Sequence, residues 1–432
     1  MSKKLEFIKR FRDDNLFNLL DRKITSNTLS LSIIYALNFL ISLFTLPHLI
    51  KNFGTSNWGN IVFFQIILNY LIWLIDWSFN QYSTKFISIN SDNSIELKKI
   101  FKETKTAQFI LLMISILLSS IILSILGEPK LILLFTLTLF GHFLQSFWFL
   151  NGLEKIYETA LIQLFNKFFL ATLILLIIDE KSSINQYFLF VGITALITGL
   201  ICQLRIKYKY DNVLEIINFK KGFKTISKSS KLFYSTILGS FINSSLPLIV
   251  SILIGKQQLG IYNIADRIKG ISVQLVHPIT HSLFPRMSKE YSKNKKSANN
   301  LLKVILYTLL FLTGLAFLVV NIFMFEIVSY FSNENIFLIS GVLRVLMFAF
   351  IINVIEEVMV NHYLMPNGMY GSINKLKILI LLTSLFTAFP FIYSFGIIGA
   401  AYSNIFSELI GFVYLIFIYN KTKNLDYKIQ KF

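Results

Sequence analysis

The sequence is poor in cysteine and in charge, and both absences restrict what the protein can be. Its single cysteine, Cys202, excludes an internal disulfide and a cysteine-based metal site. Charged residues make up only 15% of the 432 residues, whereas soluble domains are about a quarter charged. Hydrophobic residues reach 54% of the chain. A chain with so little charge and so many apolar side chains is predicted to be a polytopic membrane protein.

Motifs and segments that enzymes use are also absent from the sequence. No predicted extramembrane segment reaches the roughly 50 residues of a small domain. There is no Walker motif and no dinucleotide fingerprint, so ATP hydrolysis by this chain is not expected. No set of histidine, aspartate and glutamate residues has the spacing of metal ligands. The spacing of residues also gives no pair of a catalytic nucleophile and its base. We therefore expect no metal, no cofactor and no catalytic residue, which argues against an enzyme.

Long apolar runs recur along the whole chain. Each is long enough for a helix to cross about 30 Å of hydrocarbon at about 1.5 Å per residue. The first run is too long for the core of a signal peptide and lacks a small-residue cleavage site. The runs predict twelve transmembrane helices, at about residues 27–50, 58–80, 106–126, 131–150, 158–178, 186–204, 232–255, 259–285, 301–324, 338–364, 376–394 and 396–419.

The net charge of +18 is distributed unevenly between the predicted loops. The sequence contains 41 lysine and arginine residues, of which 4 lie within the predicted spans. The two chain ends and the loops on the same side of the membrane contain 33 of them, whereas the loops on the opposite side contain 4. Positive residues stay on the cytoplasmic side of a membrane, so this bias predicts that both termini are cytoplasmic. The basic residues then face anionic headgroups, and we expect membrane lipids rather than nucleic acid as their partners.

A repeat divides the chain into two similar halves. The pattern from Gly54 to Gly59 recurs 201 positions later, from Gly255 to Gly260. Both copies precede a span that runs inward, so the repeat is parallel, and transporters built this way hold substrate between their halves. The sequence thus predicts a basic amphipathic segment at 1–26, an amino-terminal six-helix lobe at 27–215, a carboxy-terminal six-helix lobe at 216–420 and a cytoplasmic tail at 421–432.

The predicted eighth span, 259–285, carries charges that membrane helices rarely contain. At about 100° per residue, its polar residues fall on one stripe and its apolar residues on the opposite face. A central charge costs about 2.5–3.5 kcal/mol on insertion scales, so it needs a partner or a function. The stripe fits a buried ion pair or the wall of a water-filled cavity, and its length favours the cavity. Its members are Asn263, Asp266, Arg267, Gly270, Gln274, His277 and His281.

Two other spans of the amino-terminal half contain polar residues. The second span has a stripe that includes Gln65, Asn69 and Asp76. The repeat offset relates this stripe to that of the eighth span. Lys167 lies in the fifth span, where an ion pair within its own half and a contact with substrate fit the pattern equally.

The carboxy-terminal half adds intramembrane carboxylates. Glu408 in the twelfth span has two open interpretations, hydrogen bonding between helices and proton transfer. Glu356 and Glu357 are expected to snorkel or to cap a short inner loop. The isolated histidines are expected to be packed or interfacial, and these are His48, His142 and His362.

Six short stretches, in order along the chain, carry a family resemblance. They are Asn57–Asn60, Asp76–Asn80, Trp148–Lys155, Gly260–Ile268, Leu283–Lys289 and Gly396–Ala401 with Glu408. In these stretches the chain resembles the polysaccharide-unit flippases of the multidrug/oligosaccharidyl-lipid/polysaccharide exporter superfamily. Ser78 departs from the family pattern, where glycine is common, and Asn151 stands where glutamine is frequent.

The resemblance implies a fold and a cargo. The fold class is all-α integral membrane, with twelve transmembrane helices in two pseudo-symmetric six-helix lobes around a central cavity lined by helices 1, 2, 7 and 8. The cargo is an undecaprenyl-pyrophosphate-linked oligosaccharide, moved from the cytoplasmic to the outer leaflet of a bacterial plasma (inner) membrane. A polysaccharide polymerase and a chain-length regulator are further partners implied by the resemblance.

The candidate site residues follow from this cargo. Arg267 can hold the pyrophosphate by charge-assisted hydrogen bonds, and amide side chains can bind the sugars. Lys269 lies about 60° beyond the edge of the stripe, so we expect it to contribute less. Asp76 and Glu408 are candidate ion-coupling residues, because partly desolvated carboxylates can take up protons near neutral pH. The candidate substrate-binding residues are Arg267, Lys269, Asp266, Gln65, Asn69, Gln274, His277 and Lys167.

Two alternatives compete with the flippase interpretation. A drug/cation antiporter of the same superfamily would need a more prominent acidic site and a less cationic cavity. A membrane-embedded polysaccharide polymerase or glycosyltransferase would usually carry a large outer loop or domain with catalytic residues. The predicted outer loops of this chain are short.

Overall fold

The computed structural model describes residues 22–210, 215 and 218–429, which form helices joined by short loops with no strand among them. The predicted all-α class is therefore confirmed. A π-helical turn, Val360–Leu364, follows the helix that ends at Met359. The helices are α1 (Arg22–Asp76), α2 (Phe79–Ile89), α3 (Ser94–Ile125), α4 (Pro129–Leu144), α5 (Phe147–Gly152), α6 (Ile156–Ile177), α7 (Ile184–Tyr210), α8 (Phe219–Ile254), α9 (Lys256–Lys293), α10 (Lys295–Ile322), α11 (Met324–Phe331), α12 (Ile336–Met359) and α13 (Tyr370–Ile429).

The longest helices, α1 and α13, each bend at a glycine. Gly54 has φ 70° and ψ 168°, and Gly396 has φ 58° and ψ −137°. Positive φ is accessible to glycine at little cost, so each glycine allows the chain to turn between two helical arms. The predicted spans on either side of each glycine correspond to these arms.

Eight of the helical segments in the described residues are long and apolar enough to cross a membrane. Two of them, Leu40–Ile89 and Tyr370–Thr422, are 50 and 53 residues long, well beyond a single crossing of about 20 residues. The charged helix α9 is not among these eight segments. The number of crossings, twelve, remains a prediction.

The sequence repeat is reproduced by the backbone where α1 and α9 cross. Gly255 has φ 95° and ψ 165°, close to the conformation of its repeat equivalent Gly54. A Cβ atom at Gly59 would lie 1.8 Å from the carbonyl oxygen of Lys256, and one at Gly260 would lie 2.2 Å from that of Thr55. Because Thr55 and Lys256 are also 201 positions apart, the contact is reciprocal. The two glycines let the helix backbones touch.

The two halves of the chain also meet through side chains at both ends of the bundle. Near the α1–α9 crossing, the Glu334 carboxylate accepts hydrogen bonds from the backbone N–H and the hydroxyl of Thr55, both at 2.8 Å. At the other end, the Trp77 ring stacks on Phe233 with centroids 3.8 Å apart, and its Nε1–H donates to the Ile226 carbonyl at 3.1 Å. The two halves of the chain are therefore in contact at both ends of the bundle.

Some sequence predictions fall outside the described residues. Residues 1–21 of the predicted amphipathic segment and 430–432 of the predicted tail are among them. Some side chains within α1, α8, α9 and α13 are also outside the part of the chain that the structure describes, and that of His277 is one of them.

Candidate substrate cavity

A cavity of about 220 Å³ lies between four helices from both halves of the chain. The arm of α1 after Gly54, together with α4 and α7, provides most of the wall, and α9 contributes one residue. Polar side chains alternate with apolar ones, so the cavity can hold water or a polar group. Its lining residues are Gln65, Leu68, Asn69, Ile72, Thr138, His142, Tyr187, Phe188, Val191 and Arg267.

Arg267 reaches this cavity from the polar stripe of α9. It is exposed, whereas Ala265 and Ile268 on either side of the stripe are buried. Within the described part of the chain, no carboxylate forms an ion pair with its guanidinium. A guanidinium that lines a cavity and is not neutralised by the protein is able to bind an anionic group there.

Two amides and a phenol complete the polar wall near Arg267. Gln65 donates a hydrogen bond of 2.5 Å from its Nε2 to the Tyr187 hydroxyl, which fixes both side chains. Asn69 is exposed one helical turn further along α1. These groups can donate and accept hydrogen bonds, as sugar hydroxyls require.

Asp266 has a different partner from the one its sequence position suggested. Its carboxylate forms an ion pair of 2.8 Å with Lys269, three residues along α9. Asp266 directly precedes Arg267 in the sequence, and the buried ion pair considered for the stripe would have joined these two residues. Successive residues on a helix point in different directions, whereas residues three apart share a face, and this geometry explains the pairing.

The structure brings together three of the eight predicted substrate-binding residues at the cavity, namely Gln65, Asn69 and Arg267. Asp266 and Lys269 pair with each other near it. Lys167 is exposed on α6 and Gln274 is exposed on α9, and neither is among the described lining residues. The side chain of His277 lies outside the described residues.

Three polar lining residues were not singled out as site residues in the sequence. Thr138 and His142 come from α4, and Tyr187 comes from α7. His142 was expected to be packed or interfacial, but it lines the cavity instead. His48 does pack, with its Nε2 2.9 Å from the Ile178 carbonyl oxygen. In the sequence, His142 stood out only because it is a polar residue within an apolar run.

The predicted ion-coupling residues lie outside the described lining of the cavity. Asp76 ends α1 at a half-buried position, and none of the ion pairs among the described residues involves it. Glu408 on α13 and Glu356 on α12 are both buried, and their side chains interact electrostatically. Glu356 was expected to snorkel or cap a loop, but the structure places it in the helix bundle. Glu357 instead accepts a hydrogen bond of 2.6 Å from the Thr280 hydroxyl.

A comparison with protein families identifies the group to which this architecture belongs. The model of the polysaccharide biosynthesis protein family matches residues 24–291, which include nearly all of α1, the residues that line the cavity, and Arg267 among them. The chain belongs to the polysaccharide biosynthesis protein family. The family resemblance read from the six short stretches is thereby confirmed.

Curated relatives extend the similarity over nearly the full chain. A protein of Escherichia coli (strain K12) named "Putative O-antigen transporter" is 23% identical over 403 residues, covering 91% of this chain and 96% of that protein. A protein of the same name from Shigella dysenteriae is 22% identical over 401 residues, covering 90% of this chain and 98% of that protein.

Solved structures share the fold at low sequence identity. The inward closed conformation of the lipid II flippase MurJ has a TM-score of 0.75 and 17% identity, covering 90% of this chain and 87% of that chain. The inward-facing conformation of a multidrug resistance MATE family transporter has a TM-score of 0.65 and 14% identity, covering 90% and 95%. The chain therefore shares its helical fold with a lipid II flippase and with a multidrug resistance transporter.

Proposed function

We propose that the protein is a flippase that moves undecaprenyl-pyrophosphate-linked oligosaccharide repeat units from the cytoplasmic to the outer leaflet of a bacterial plasma membrane. It does so by alternating access, for the assembly of O-antigen, capsule or exopolysaccharide. The observation that carries this proposal is the unneutralised Arg267 in a cavity walled by amides, a phenol and a histidine. The names of the curated relatives support the same cargo class.

The cargo is divided between three environments. The pyrophosphate meets the Arg267 guanidinium, the sugars meet hydrogen-bonding side chains, and the polyprenyl chain stays in the lipid. At about 220 Å³ the cavity is smaller than the roughly 300–1,000 Å³ of sites for drug-sized ligands. In this conformation it accommodates a headgroup rather than a whole repeat unit, so the halves must separate to admit the cargo.

The charge of the cavity distinguishes a flippase from a drug/cation antiporter. The described lining contains a guanidinium and no carboxylate, which favours an anionic cargo and repels a cationic drug. The proposal therefore assigns no catalytic residue, and a polymerase or glycosyltransferase role has no support from the described geometry. A polymerase and a chain-length regulator are proposed as partners that act on the delivered units.

Reconstitution tests the proposed function directly. In proteoliposomes that contain an undecaprenyl-pyrophosphate-linked oligosaccharide, the protein is expected to expose labelled sugar to an external glycosidase. A fluorescent cationic drug in the same vesicles should not be transported. Transport of the drug without movement of the oligosaccharide would favour the antiporter alternative, and neither movement should require ATP.

The orientation of the chain gives a second test. With Cys202 replaced by serine, single cysteines at Ser56, Ser183 and Gln257 are expected to react with an impermeant thiol reagent added to intact cells. Cysteines at Ser94, Ser227 and Ser297 should react only after permeabilisation. All six positions are exposed, so differences in labelling will report the side of the membrane. The reverse pattern would refute cytoplasmic termini and the proposed direction of transport.

The coupling ion gives a third test, at the Glu356–Glu408 pair. Two buried carboxylates that interact in a low-dielectric helix bundle repel each other, which makes this pair the proposed site for a coupling proton. If a proton gradient drives flipping, Glu408→Gln and Glu356→Gln are expected to reduce gradient-driven flipping by about tenfold, which corresponds to about 1.4 kcal/mol. Glu326→Gln, at an exposed position of α11, is the control. Unchanged gradient dependence in both variants would remove this pair as the coupling site.

A further inference from the structure

The short connection between α11 and α12, residues 332–335, contacts the bend in α1, and the mechanism proposed above gives it no role. We call this connection the outer corner, because the sequence predicts that it lies on the outer side of the membrane. Within it, the Ser332 hydroxyl donates to the Glu334 carbonyl at 3.1 Å and accepts from the Glu334 N–H at 3.2 Å. These two bonds fix the backbone of Glu334 beside α1.

The bend at Gly54 leaves backbone donors of α1 without acceptors in the same helix. Gly54 has φ 70° and ψ 168°, so the helical hydrogen-bond pattern is interrupted there. The first N–H groups of the following arm therefore need acceptors from elsewhere. Thr55 is only 1% exposed, so bulk water is not available to its N–H and hydroxyl groups. Buried donors without an acceptor are costly, and a partner from the protein is required.

Glu334 supplies this acceptor from the opposite half of the chain. Its Oε2 accepts the backbone N–H and the hydroxyl of Thr55, both at 2.8 Å, across 279 positions of sequence. The Asn335 amide donates to the same hydroxyl oxygen at 3.1 Å. A Cβ atom at Gly54 would lie 3.1 Å from Glu334 Oε1, so glycine also gives the carboxylate room. Glu334 therefore caps the second arm of α1, as the N-cap residue does within a single helix.

Contacts with α1 continue on the other side of the bend. The Tyr330 hydroxyl of α11 donates to the Leu43 carbonyl at 3.4 Å, and Lys51 Nζ lies 5.7 Å from the centre of the Tyr330 ring. Separation of the two halves on this side would break all of these contacts. The Glu334 side chain is partly exposed to solvent, so water can replace Thr55 as its partner. The hydrogen bonds of Glu334 are therefore able to break and form again.

We propose that the bonds between Glu334 and Thr55 form an outer latch, which closes the cavity toward the outer leaflet and must break in each transport cycle. The inference rests on the proposed flippase function, because it assigns the latch to one step of alternating access. The capped arm of α1 carries Gln65 and Asn69, which line the cavity. Glu334 is thus a positioning residue, through which the carboxy-terminal half holds a cavity wall of the amino-terminal half.

Access of a thiol reagent to the cavity tests the latch without any transport. In a protein with Cys202→Ser and Asn69→Cys, the new cysteine lies in the cavity wall. Adding Glu334→Ala is expected to raise its labelling by an impermeant reagent outside intact cells about tenfold, because two hydrogen bonds to a charged group are lost. Labelling from the cytoplasmic side, in inside-out vesicles, should not rise. Glu334→Gln keeps an acceptor oxygen and should give an intermediate rate.

A carboxylate near the latch provides the control for this measurement. Glu326 is exposed on α11, and Glu326→Ala should leave labelling from both sides unchanged. An equal rise from both sides in Glu334→Ala would show that the residue only stabilises the fold. The absence of any rise would show that the latch does not close the outer side.

A cross-link tests whether the latch must open during transport. In the Cys202→Ser protein, Thr55→Cys and Glu334→Cys are joined by a short, reducible bifunctional thiol reagent. Flipping of the oligosaccharide in proteoliposomes is expected to fall at least tenfold and to recover after reduction. The matched control joins Ser297→Cys and Glu290→Cys, since this hydroxyl and carboxylate are also in contact, at 2.9 Å, but belong to one half. That cross-link should leave flipping within about twofold.

The two experiments separate the latch from the proposed function. Normal flipping by the protein cross-linked between Thr55→Cys and Glu334→Cys would overturn the latch, because its bonds would then never need to break. If the unmodified protein fails to flip the oligosaccharide, the proposed function fails. In that case the side from which the cavity cysteine is labelled still decides whether Glu334 closes the outer side.

Discussion

Replacement of Arg267 by alanine is expected to abolish surface polymer while the protein still inserts in the membrane at its normal level. The guanidinium is exposed in the cavity wall and has no carboxylate partner among the described residues, so its loss leaves no buried charge unpaired. Each hydrogen bond to a charged group contributes about 1.5–3 kcal/mol. Loss of a bidentate pair to the pyrophosphate therefore reduces transport by about two orders of magnitude or more.

Companion variants separate the shape of the cation from its charge. Arg267→Lys should restore only part of the activity, because an ammonium cannot make two parallel hydrogen bonds to a phosphate. Lys269→Ala should do less harm, since Lys269 is held by Asp266 at 2.8 Å and is not among the described lining residues. The measurement is polymer at the cell surface, normalised to the amount of protein in the membrane.

A structural role for Arg267 predicts a different pattern. In that case Arg267→Ala would lower the amount of protein, and the exchange of Asp266→Arg with Arg267→Asp would restore it. The ion pair between Asp266 and Lys269 already argues against this role. Normal polymer output from a well-expressed Arg267→Ala protein would refute the phosphate-binding role.

The second large effect is expected from one added methyl group at the crossing of α1 and α9. In Gly260→Ala the new Cβ atom would lie 2.2 Å from the carbonyl oxygen of Thr55 and 3.0 Å from the backbone nitrogen of Gly59. Backbone atoms of a helix cannot rotate aside as a side chain can, so the two helices must separate. Overpacking of this kind costs about 1–3 kcal/mol or more, and we expect a severe loss of folded protein.

The same substitution elsewhere on α9 provides the control for this experiment. A Cβ atom at Gly270 would meet nothing within 4 Å, so Gly270→Ala should be tolerated. In a helix, alanine is favoured over glycine by about 1 kcal/mol, which makes slight stabilisation the expected result. The amount of detergent-extracted, monodisperse protein and its melting temperature are the measurements. Equal behaviour of the two variants would contradict the close crossing.

The fold class and part of the site were predictable from the sequence because they depend on local pattern. Apolar runs and the distribution of lysine and arginine indicated membrane helices, and the helical period placed Arg267 on a polar stripe. The repeat offset linked Gly59 to Gly260, and the structure shows that this pair of equivalent glycines meets at one crossing. Sequence similarity between two positions does not reveal that they touch, because contact depends on how the halves are arranged.

The wrong predictions for individual residues have one physical cause in common. Lys105 was assigned to a loop because the apolar run begins after it, whereas α3 begins at Ser94 and includes it. Glu356 was expected at the interface, but its partner Glu408 is more than fifty residues away and belongs to another helix. His142 and Tyr187 line the cavity because of the rotation of α4 and α7 about their axes. Local pattern does not specify that rotation in helices that are apolar on nearly every side.

The sequence by itself determined that this chain is a helical membrane protein and which residues share a face of each helix. It also identified the family, through short stretches spread over the chain. The tertiary structure decided which faces meet, and so brought Gln65, Asn69 and Arg267 to one cavity while pairing Asp266 with Lys269. The reason is that helical period is a property of neighbouring residues, whereas the rotation and the partners of a helix are set by packing between segments far apart in the chain.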